Sequence, residues 1–192
     1  MLKKIIPFLY LIFLFPHVLV YLRYRSMVNT DMKRCSEHHL QDFNGISGLL
    51  YLLTFDKAFR ALFYYRIGTL SYLIKFFAPP FSTLIVNSHS SIGEGALFVH
   101  SFSTIINPES IGKHFRITHN CTVGNSKEGR PIIGDNVTIH AGAIVIGPIV
   151  IGNNVIIGAG AVVTKNIPAN CIVIGNPAFI IKRDGLKVHQ KL

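Results

Sequence analysis

The fold of this chain is decided by residues 129–163, which read GRPIIGDNVTIHAGAIVIGPIVIGNNVIIGAGAVV. An aliphatic residue returns here every six positions, and the same period extends back to Val86. An amphipathic helix has a period near 3.6 and an ordinary strand a period of about 2, so the pattern fits neither. A six-residue repeat is typical of a parallel β-helix, whose coils each contain three short strands. The residues predicted to point inward are Val86, Ile92, Phe98, Ile105, Ile111, Ile117, Val123, Ile133, Ile139, Val145, Ile151, Ile157 and Val163.

Residues 86–168 are long enough for four to five coils of such a β-helix. The residues next to the inward positions also fit the repeat. The residue two places before each inward residue shares its face, because side chains alternate along a strand. Most of these residues are small or aliphatic, whereas Glu109 and Phe115 break the rule and predict a local distortion. The glycines that follow inward residues are expected to turn corners through unusual φ angles; they are Gly93, Gly112, Gly124, Gly134, Gly152 and Gly158.

Two steps of the repeat are irregular. The step from Phe98 to Ile105 is seven residues and contains His100, and the step to Ile133 is ten residues and carries the polar stretch NSKEGR at 125–130. Loops that leave a rigid scaffold are where functional residues concentrate. We therefore predict that the active site lies beside these two steps.

Composition narrows the classes of partner. A formal charge of +10 at pH 7 is compatible with nucleic acid, an anionic membrane surface or a phosphorylated ligand. No stripe of Lys and Arg interleaved with aromatic residues is present, so nucleic acid is the weakest of these and is not predicted as a partner. Cys35, Cys121 and Cys171 include no close pair, which favours buried, reduced thiols in a cytoplasmic protein.

The region before the repeat divides into two parts. Residues 5–22 are uncharged and apolar, but Pro7 and Pro16 would each disturb a helix there. We predict a membrane-associated segment at 1–26 that spans the bilayer or lies at its surface, with a soluble helix packed against the protein as the alternative. A helical region follows at 27–80, with a loop expected around Gly45 and Gly48, then the β-helix domain at 81–183 and a frayed tail at 184–192.

Four segments resemble the hexapeptide-repeat acyltransferases, and within them the serine acetyltransferase-like branch. They are FRALFYYRIG at 59–68, SSIGEGALFVHSFSTIIN at 90–107, GRPIIGDNVTIHAGA at 129–143 and IGAGAVVTKNIPANCIVIGNPAFIIKR at 157–183. The resemblance implies a mainly β protein, a left-handed parallel β-helix preceded by α-helices. It also implies a homotrimer, whose distinction from a higher oligomer stays open, with acetyl-CoA in the groove between neighbouring β-helices.

The same resemblance implies roles for individual residues. His100 matches the catalytic histidine, which acts as general base on an acceptor hydroxyl. Thr164 and Lys165 match a pair near the adenosine end of the coenzyme, and Lys182 and Arg183 are candidates for its 3′-phosphate. The positions matched to the pantetheine arm are Ala141, Gly142, Gly158, Ala159 and Gly160.

Three departures from true serine acetyltransferases concern the acceptor. Val99 and Ile85 stand where that family has aspartates, and Arg130 replaces a second active-site histidine. We therefore expect acetyl-CoA-dependent O-acetylation of a sugar hydroxyl, on a surface-polysaccharide precursor or lipid-linked glycan at the cytoplasmic membrane face. The residues expected to contact the acceptor are Asn107, His119, Lys127 and Arg130.

Other functions stay open. The first alternative is serine O-acetylation in cysteine biosynthesis. A trimeric carbonic-anhydrase-like enzyme would need three histidine ligands, and although His114 and His119 have suitable spacing, the third position falls on Ala78. We therefore expect no metal. A noncatalytic solenoid is the remaining alternative.

Overall fold

The computed structural model describes residues 11–192. The chain forms two compact units, Met1–Ser82 and Thr83–Leu192. The described part of the first unit is helical, and the second is built from short strands that pair in parallel. The predicted order, helices followed by a parallel β-helix, is confirmed.

Helix α1 is longer than the sequence pattern indicates. It runs continuously through Pro16 and across position 26, where we expected one segment to end. Proline lacks the backbone N–H, so this helix gives up one internal hydrogen bond there without ending. The helices of this unit are α1 Leu11–His39, α2 Gly45–Phe55, α3 Lys57–Ile67 and α4 Ser71–Ile74, with a 3₁₀ turn at Gly68–Leu70 between the last two.

One face of α1 is buried within the helical unit, including His17 and Tyr21. The His17 ring is 2.8 Å from the hydroxyl of Tyr64 on α3, and burial, with a smaller contribution from Arg60, lowers the pKa of His17 to about 4. A helix that packs in this way against the rest of its unit is what the alternative of a soluble helix predicts. The opposite face exposes an apolar stripe, made of Ile12, Phe15, Leu19 and Leu22.

By length and composition, α1 is the one helix among residues 11–192 that could cross a membrane. Only 22% of its most apolar 18-residue window is buried. The predicted anchor at 5–22 begins outside the described residues, so the structure covers only its second part.

Gly48 lies inside α2, not in the loop that the sequence predicts around Gly45 and Gly48. A Cβ on Gly48 would come within 2.5 Å of the backbone carbon of Phe43. The glycine is therefore explained by the close approach of the preceding chain, and the loop itself is shorter and lies before the helix.

The second unit is a three-sided β-helix. We call its sides sheets A, B and C. Sheet A holds β1 Leu84–Val86, β4 Thr104–Ile106, β7 Thr122–Gly124, β10 Ile144–Ile146 and β13 Val162–Val163. Sheet B holds β2 Ser91–Ile92, β5 Ser110–Ile111, β8 Ile132–Ile133 and β11 Val150–Ile151. Sheet C holds β3 Leu97–Phe98, β6 Arg116–Ile117, β9 Thr138–Ile139, β12 Ile156–Ile157, β14 Cys171–Ile174, β15 Phe179–Arg183 and β16 Leu186–Lys191.

Every predicted inward residue except Val86 and Ile105 is buried, and the first irregular step is one residue longer than predicted. Ile106 is fully buried and pairs with Val123, whereas Ile105 is 40% exposed. Backbone pairing in sheet A therefore places Ile106 in the inward position. Val86 shares this register but is only half-buried, and Leu84 is the buried residue of β1.

The predicted distortion is present at Glu109 and absent at Phe115. Glu109 is exposed, and Pro108 is buried in its place, with its carbonyl accepting a 2.6 Å hydrogen bond from the Ser90 hydroxyl. Phe115 is fully buried inside the β-helix. A small residue is thus the usual filling of that position but not a requirement, because this coil accommodates a ring.

All of the glycines after inward residues except Gly124 serve close packing between coils, which corrects the prediction of unusual φ angles. None of them has a positive φ. A Cβ on Gly93 would lie 2.6 Å from the backbone carbon of Gly112 in the next coil. Positive φ angles occur at other corner residues, among them a column of asparagines in which Asn136 donates to Asn154 and Asn154 donates to Asn170.

We expect Gly93→Ala to destabilise the β-helix by about 1–3 kcal/mol, because the three nearest atoms to its new methyl group are all backbone atoms of the next coil. Gly124→Ala is the matched control, since its nearest neighbour would be 3.6 Å away. Urea denaturation of both variants at one protein concentration measures the difference. Equal midpoints would show that the coils move apart without cost.

The C-terminal residues, expected to fray, form an antiparallel extension of sheet C. Strand β15 pairs with β14, and β16 with β15. Asp184 joins the asparagine column by accepting a 2.9 Å hydrogen bond from Asn170. The three cysteines are free and buried, as predicted.

Candidate active site

The candidate residues lie mainly on two of the three edges of the β-helix. We call these edges the C–A corner, where the chain passes from sheet C to sheet A, and the A–B corner, where it passes from sheet A to sheet B. The C–A corner carries, in successive coils, His100, His119, Ala141, Gly142, Gly158, Ala159 and Gly160. Backbone hydrogen bonds hold this column together, from Gly142 N to His119 O (3.1 Å) and from Gly160 N to Ala141 O (2.9 Å).

His100 occupies the first irregular step with an exposed side chain. Its φ of 48° is in the left-handed region, as is that of Ser103 at 50°. Non-glycine residues rarely adopt this conformation, and it clusters at functional sites. The turn thus directs an imidazole outward at the edge of a rigid scaffold, where a ligand can reach it.

Phe102 was missed by the sequence analysis. Its ring stacks on that of His119 in the next coil, with centroids 5.1 Å apart and an interplanar angle of 13°. Phe102 remains 41% exposed, so the pair presents an aromatic surface at the same corner as His100. The intervening Ser101 is fully buried, and its hydroxyl has no hydrogen-bond partner among the described residues.

Beyond His119, the C–A corner is open along its backbone. A Cβ on Gly160 would meet no atom within 4 Å, and one on Gly142 would come no closer than 3.8 Å. Ala159 is exposed, and Ala141 is half-buried. Small side chains therefore leave the main chain accessible over these two coils, as a close-fitting elongated ligand requires.

The A–B corner carries the polar loop of the second irregular step. Asn87 donates to Asn107, and Asn107 donates to Asn125 over 3.4 Å, so amide side chains of three coils form one stack. The loop then closes through a 2.9 Å hydrogen bond from Ser126 N to Gly129 O. Lys127 is exposed and Arg130 half-buried at its end.

Within one protomer, sheet A separates His100 from Arg130. A strand such as β4 is three residues long, which corresponds to about 10 Å at roughly 3.3 Å per residue. His100 and His119 therefore share one edge, whereas Asn107, Lys127 and Arg130 share the other. Thr164 and Lys165 also lie at the A–B corner, where Lys165 Nζ is 2.6 Å from the carbonyl oxygen of Leu192.

Lys182 and Arg183 lie on β15, away from the other candidates for coenzyme binding. They pair with Ile172 and Cys171, at the beginning of β14, whereas the C–A corner follows its last residues. Arg183 is 3.7 Å from the carboxylate of Asp184. Their assignment to the 3′-phosphate stays a prediction.

The geometry gives no metal centre in the described part of the chain. His114 precedes β6 and His119 follows it, so the two rings lie at different corners. Among residues 11–192, no group of three His, Cys, Asp or Glu side chains is arranged to hold a metal ion.

Comparison with known proteins adds a family to this geometry. Residues 130–165 match the model of the bacterial transferase hexapeptide (six repeats). Over 182 aligned residues the chain is 34% identical to a serine acetyltransferase of Buchnera aphidicola, covering 85% of this chain and 68% of that protein. The chain belongs to the hexapeptide-repeat acyltransferases. As a member it is an acyltransferase, and this part of the sequence-based expectation is confirmed.

Two other similar proteins align with different fractions of this hexapeptide-repeat acyltransferase. A mitochondrial serine acetyltransferase of Arabidopsis thaliana is 37% identical over 109 residues, which is 54% of this chain and only 28% of the plant protein. The crystal structure of a Neisseria gonorrhoeae serine acetyltransferase superposes with a TM-score of 0.68 at 29% identity, covering 87% of this chain and 67% of the other. These relatives are serine acetyltransferases, so they favour our alternative acceptor over the sugar that we expected.

Proposed function

We propose that this acyltransferase transfers an acetyl group from acetyl-CoA to a hydroxyl group, with L-serine as its acceptor. This proposal rests mainly on the geometry of the C–A corner. There the exposed His100 and the accessible backbone of Gly142 and Gly160 lie along one edge of the β-helix. The names of the similar proteins support acetyl as the group transferred and serine as the acceptor.

In the proposed mechanism His100 accepts the proton of the acceptor hydroxyl as its oxygen attacks the thioester carbonyl. The carbonyl carbon becomes tetrahedral, and backbone N–H groups stabilise its oxyanion. The C–S bond then breaks, and His100 returns the proton to the departing thiolate. The products are an O-acetyl ester and free coenzyme A, and no other group has to react.

The proposed donor site follows the C–A corner. Small residues at this corner let the pantetheine arm approach the main chain, and they are Ala141, Gly142, Gly158, Ala159 and Gly160. We propose that Thr164 and Lys165, at the A–B corner, contact the adenosine end of a coenzyme bound along the C–A corner of the neighbouring protomer, with Lys182 and Arg183 towards the 3′-phosphate. These cations also account for part of the positive charge of the chain.

The proposed acceptor site needs two protomers. Because sheet A separates the two corners in one chain, we propose a homotrimer in which the C–A corner of one protomer faces the A–B corner of its neighbour. Arg130 would then bring a cation to the acceptor carboxylate beside a neighbouring His100. Asn107, Lys127 and His119 complete the proposed polar boundary.

A sugar hydroxyl is the second candidate acceptor, and two observations favour it. Serine carries an ammonium group, but Val99 beside His100 and the 57% exposed Ile85 offer no carboxylate to pair with it. The stacked pair of Phe102 and His119 instead presents an aromatic face. Such a face suits the apolar side of a ring better than it suits a small zwitterion.

An acceptor panel separates these candidates. Purified protein with acetyl-CoA is supplied with L-serine, nucleotide sugars and lipid-linked glycans, and free thiol release is measured. We expect turnover with L-serine to exceed that with any sugar. Faster turnover with a nucleotide sugar would assign the second candidate, and thiol release that no acceptor raises above the rate in water would contradict both.

The panel is completed by Phe102→Leu, which removes the aromatic surface and keeps its apolar volume. If serine is the acceptor, we expect KM for serine to change by less than about threefold, since a small zwitterion gains little from the ring. A rise in KM of about tenfold would show that the ring contacts the acceptor and would favour a sugar.

A lipid-linked acceptor would also place the enzyme at the cytoplasmic membrane face, where the exposed stripe of α1 could rest on the bilayer. Sedimentation with vesicles that contain anionic lipid tests this part of the proposal. Protein that stays in the supernatant at low salt would restrict the enzyme to soluble acceptors.

A further inference from the structure

The helical unit contains a pocket of about 340 Å³ that the acetyl-transfer site does not use. Apart from Thr54 and Arg60, the described residues that line it are apolar: Leu14, Leu53, Phe55, Phe77, Ala78 and Pro79. Its volume is at the lower end of the range for small-molecule sites, roughly 300–1,000 Å³. Its walls therefore suit a small hydrocarbon body.

Arg60 places in this lining a buried positive charge that forms no ion pair among the described residues. The residue is only 8% exposed, and its one described hydrogen bond runs from Nη1 to the Pro79 carbonyl over 2.9 Å. The buried Nε has no partner, and no ion pair joins Arg60 to a carboxylate among the described residues. Burial lowers the pKa of the guanidinium, and the electrostatic effects of Tyr64 and Asp56, which act in the opposite direction, do not offset it. Its surroundings therefore stabilise the charge incompletely.

The nearest acidic residue of the same helix is already engaged. Asp56 accepts hydrogen bonds of 2.9 Å from the backbone N–H groups of Ala58 and Phe59, which caps helix α3. It also lies 3.8 Å from the His39 ring. Arg60 is thus not explained by an internal salt bridge, in contrast to Arg66, which forms a buried ion pair with Asp31.

We propose that this pocket binds an amphiphilic monocarboxylate, with the carboxylate on Arg60 and an unbranched hydrocarbon chain between Leu14, Phe55 and Phe77. A carboxylate matches Arg60, the single cation among the described residues of the lining, whereas a phosphate dianion would leave one charge unpaired. The apolar walls disfavour a free inorganic anion, because it would lose hydration and gain only the contact with Arg60 in return. The ligand class is therefore a short-chain to medium-chain fatty acid.

Isothermal titration calorimetry with octanoate, 1-octanol and octylamine tests both halves of this site. We expect octanoate to bind about tenfold more tightly than 1-octanol, and octylamine not to bind, because only the carboxylate pairs with Arg60. Equal affinity for octanoate and 1-octanol would contradict the role of Arg60. Inorganic phosphate that competes as well as octanoate would contradict the role of the apolar walls.

Two variants and a control localise the binding. Arg60→Met is expected to lower octanoate affinity about tenfold and leave 1-octanol within about threefold. Lys57→Gln removes an exposed cation from the same helix and should change neither affinity. If Arg60→Met does not fold, Ala78→Leu provides the test, because the larger side chain fills the pocket and Arg60 keeps its charge. Octanoate binding that persists in Ala78→Leu would overturn the proposal.

The Ala78→Leu variant also tests whether a second copy of the chain, and not a fatty acid, occupies the pocket. Sedimentation velocity measures whether Ala78→Leu changes the assembly state. Loss of assembly in this variant, together with no octanoate binding by the unmodified protein, would assign the pocket to a second copy of the chain and contradict the proposed ligand.

Discussion

His100→Asn is expected to lower kcat for acetyl transfer by about 10²–10⁴, the usual contribution of a positioned general base. Asparagine is the suitable replacement because it tolerates the left-handed backbone that His100 adopts at a φ of 48°. The amide cannot accept the hydroxyl proton. Steady-state thiol release with saturating acetyl-CoA and the best acceptor of the panel measures the change.

His114→Asn is the matched control. His114 also has a left-handed backbone, with a φ of 57°, but it lies at another corner, in the column where Asn136, Asn154 and Asn170 follow. This variant should keep activity within about threefold, since it touches no residue of the proposed mechanism. Retained activity in His100→Asn, with acetyl-CoA binding unchanged, would exclude His100 as the base.

The repeat period predicts the core of the β-helix because every side of the coil obeys the same geometric requirement. The period does not show, however, which residue points inward after an irregular step. Ile105 and Ile106 are equally apolar, so composition cannot tell which one points inward, and only pairing with Val123 decides. For the same reason Phe102 could not be recognised: its stacking on His119 depends on which turns of successive coils overlap.

Two other errors have physical causes that a sequence does not display. Glycine at a corner has two explanations, a positive φ or a close neighbour, and the separation of 2.6 Å at Gly93 selects the second. Strand β16 was expected to fray because residues 184–192 are polar and exposed, yet antiparallel pairing with β15 uses their backbone and not their side chains. The candidate site was predicted best at the C–A corner, where the irregular step and the small residues coincide.

Arg66→Met is expected to destabilise the helical unit by about 3–5 kcal/mol, because it removes the guanidinium that is ion-paired with the buried Asp31 carboxylate. The Arg66 side chain donates to the two carboxylate oxygens of Asp31 over 2.8 and 3.1 Å. Both side chains are only 2% exposed. The loss should appear as a lower urea midpoint, followed by circular dichroism at a helix-sensitive wavelength and at fixed protomer concentration.

Two further variants separate the cost of the buried Asp31 charge from the loss of the ion pair. In Asp31→Leu/Arg66→Met no charge remains buried, so most of the lost stability should return, since well-packed apolar replacements of a buried ion pair are often neutral or stabilising. Arg34→Met disrupts the exposed 3.1 Å pair with Glu37 on the same helix and should cost less than about 1 kcal/mol. A double variant as unstable as Arg66→Met would instead show that the stability is lost with the ion pair itself and not through the buried charge of Asp31.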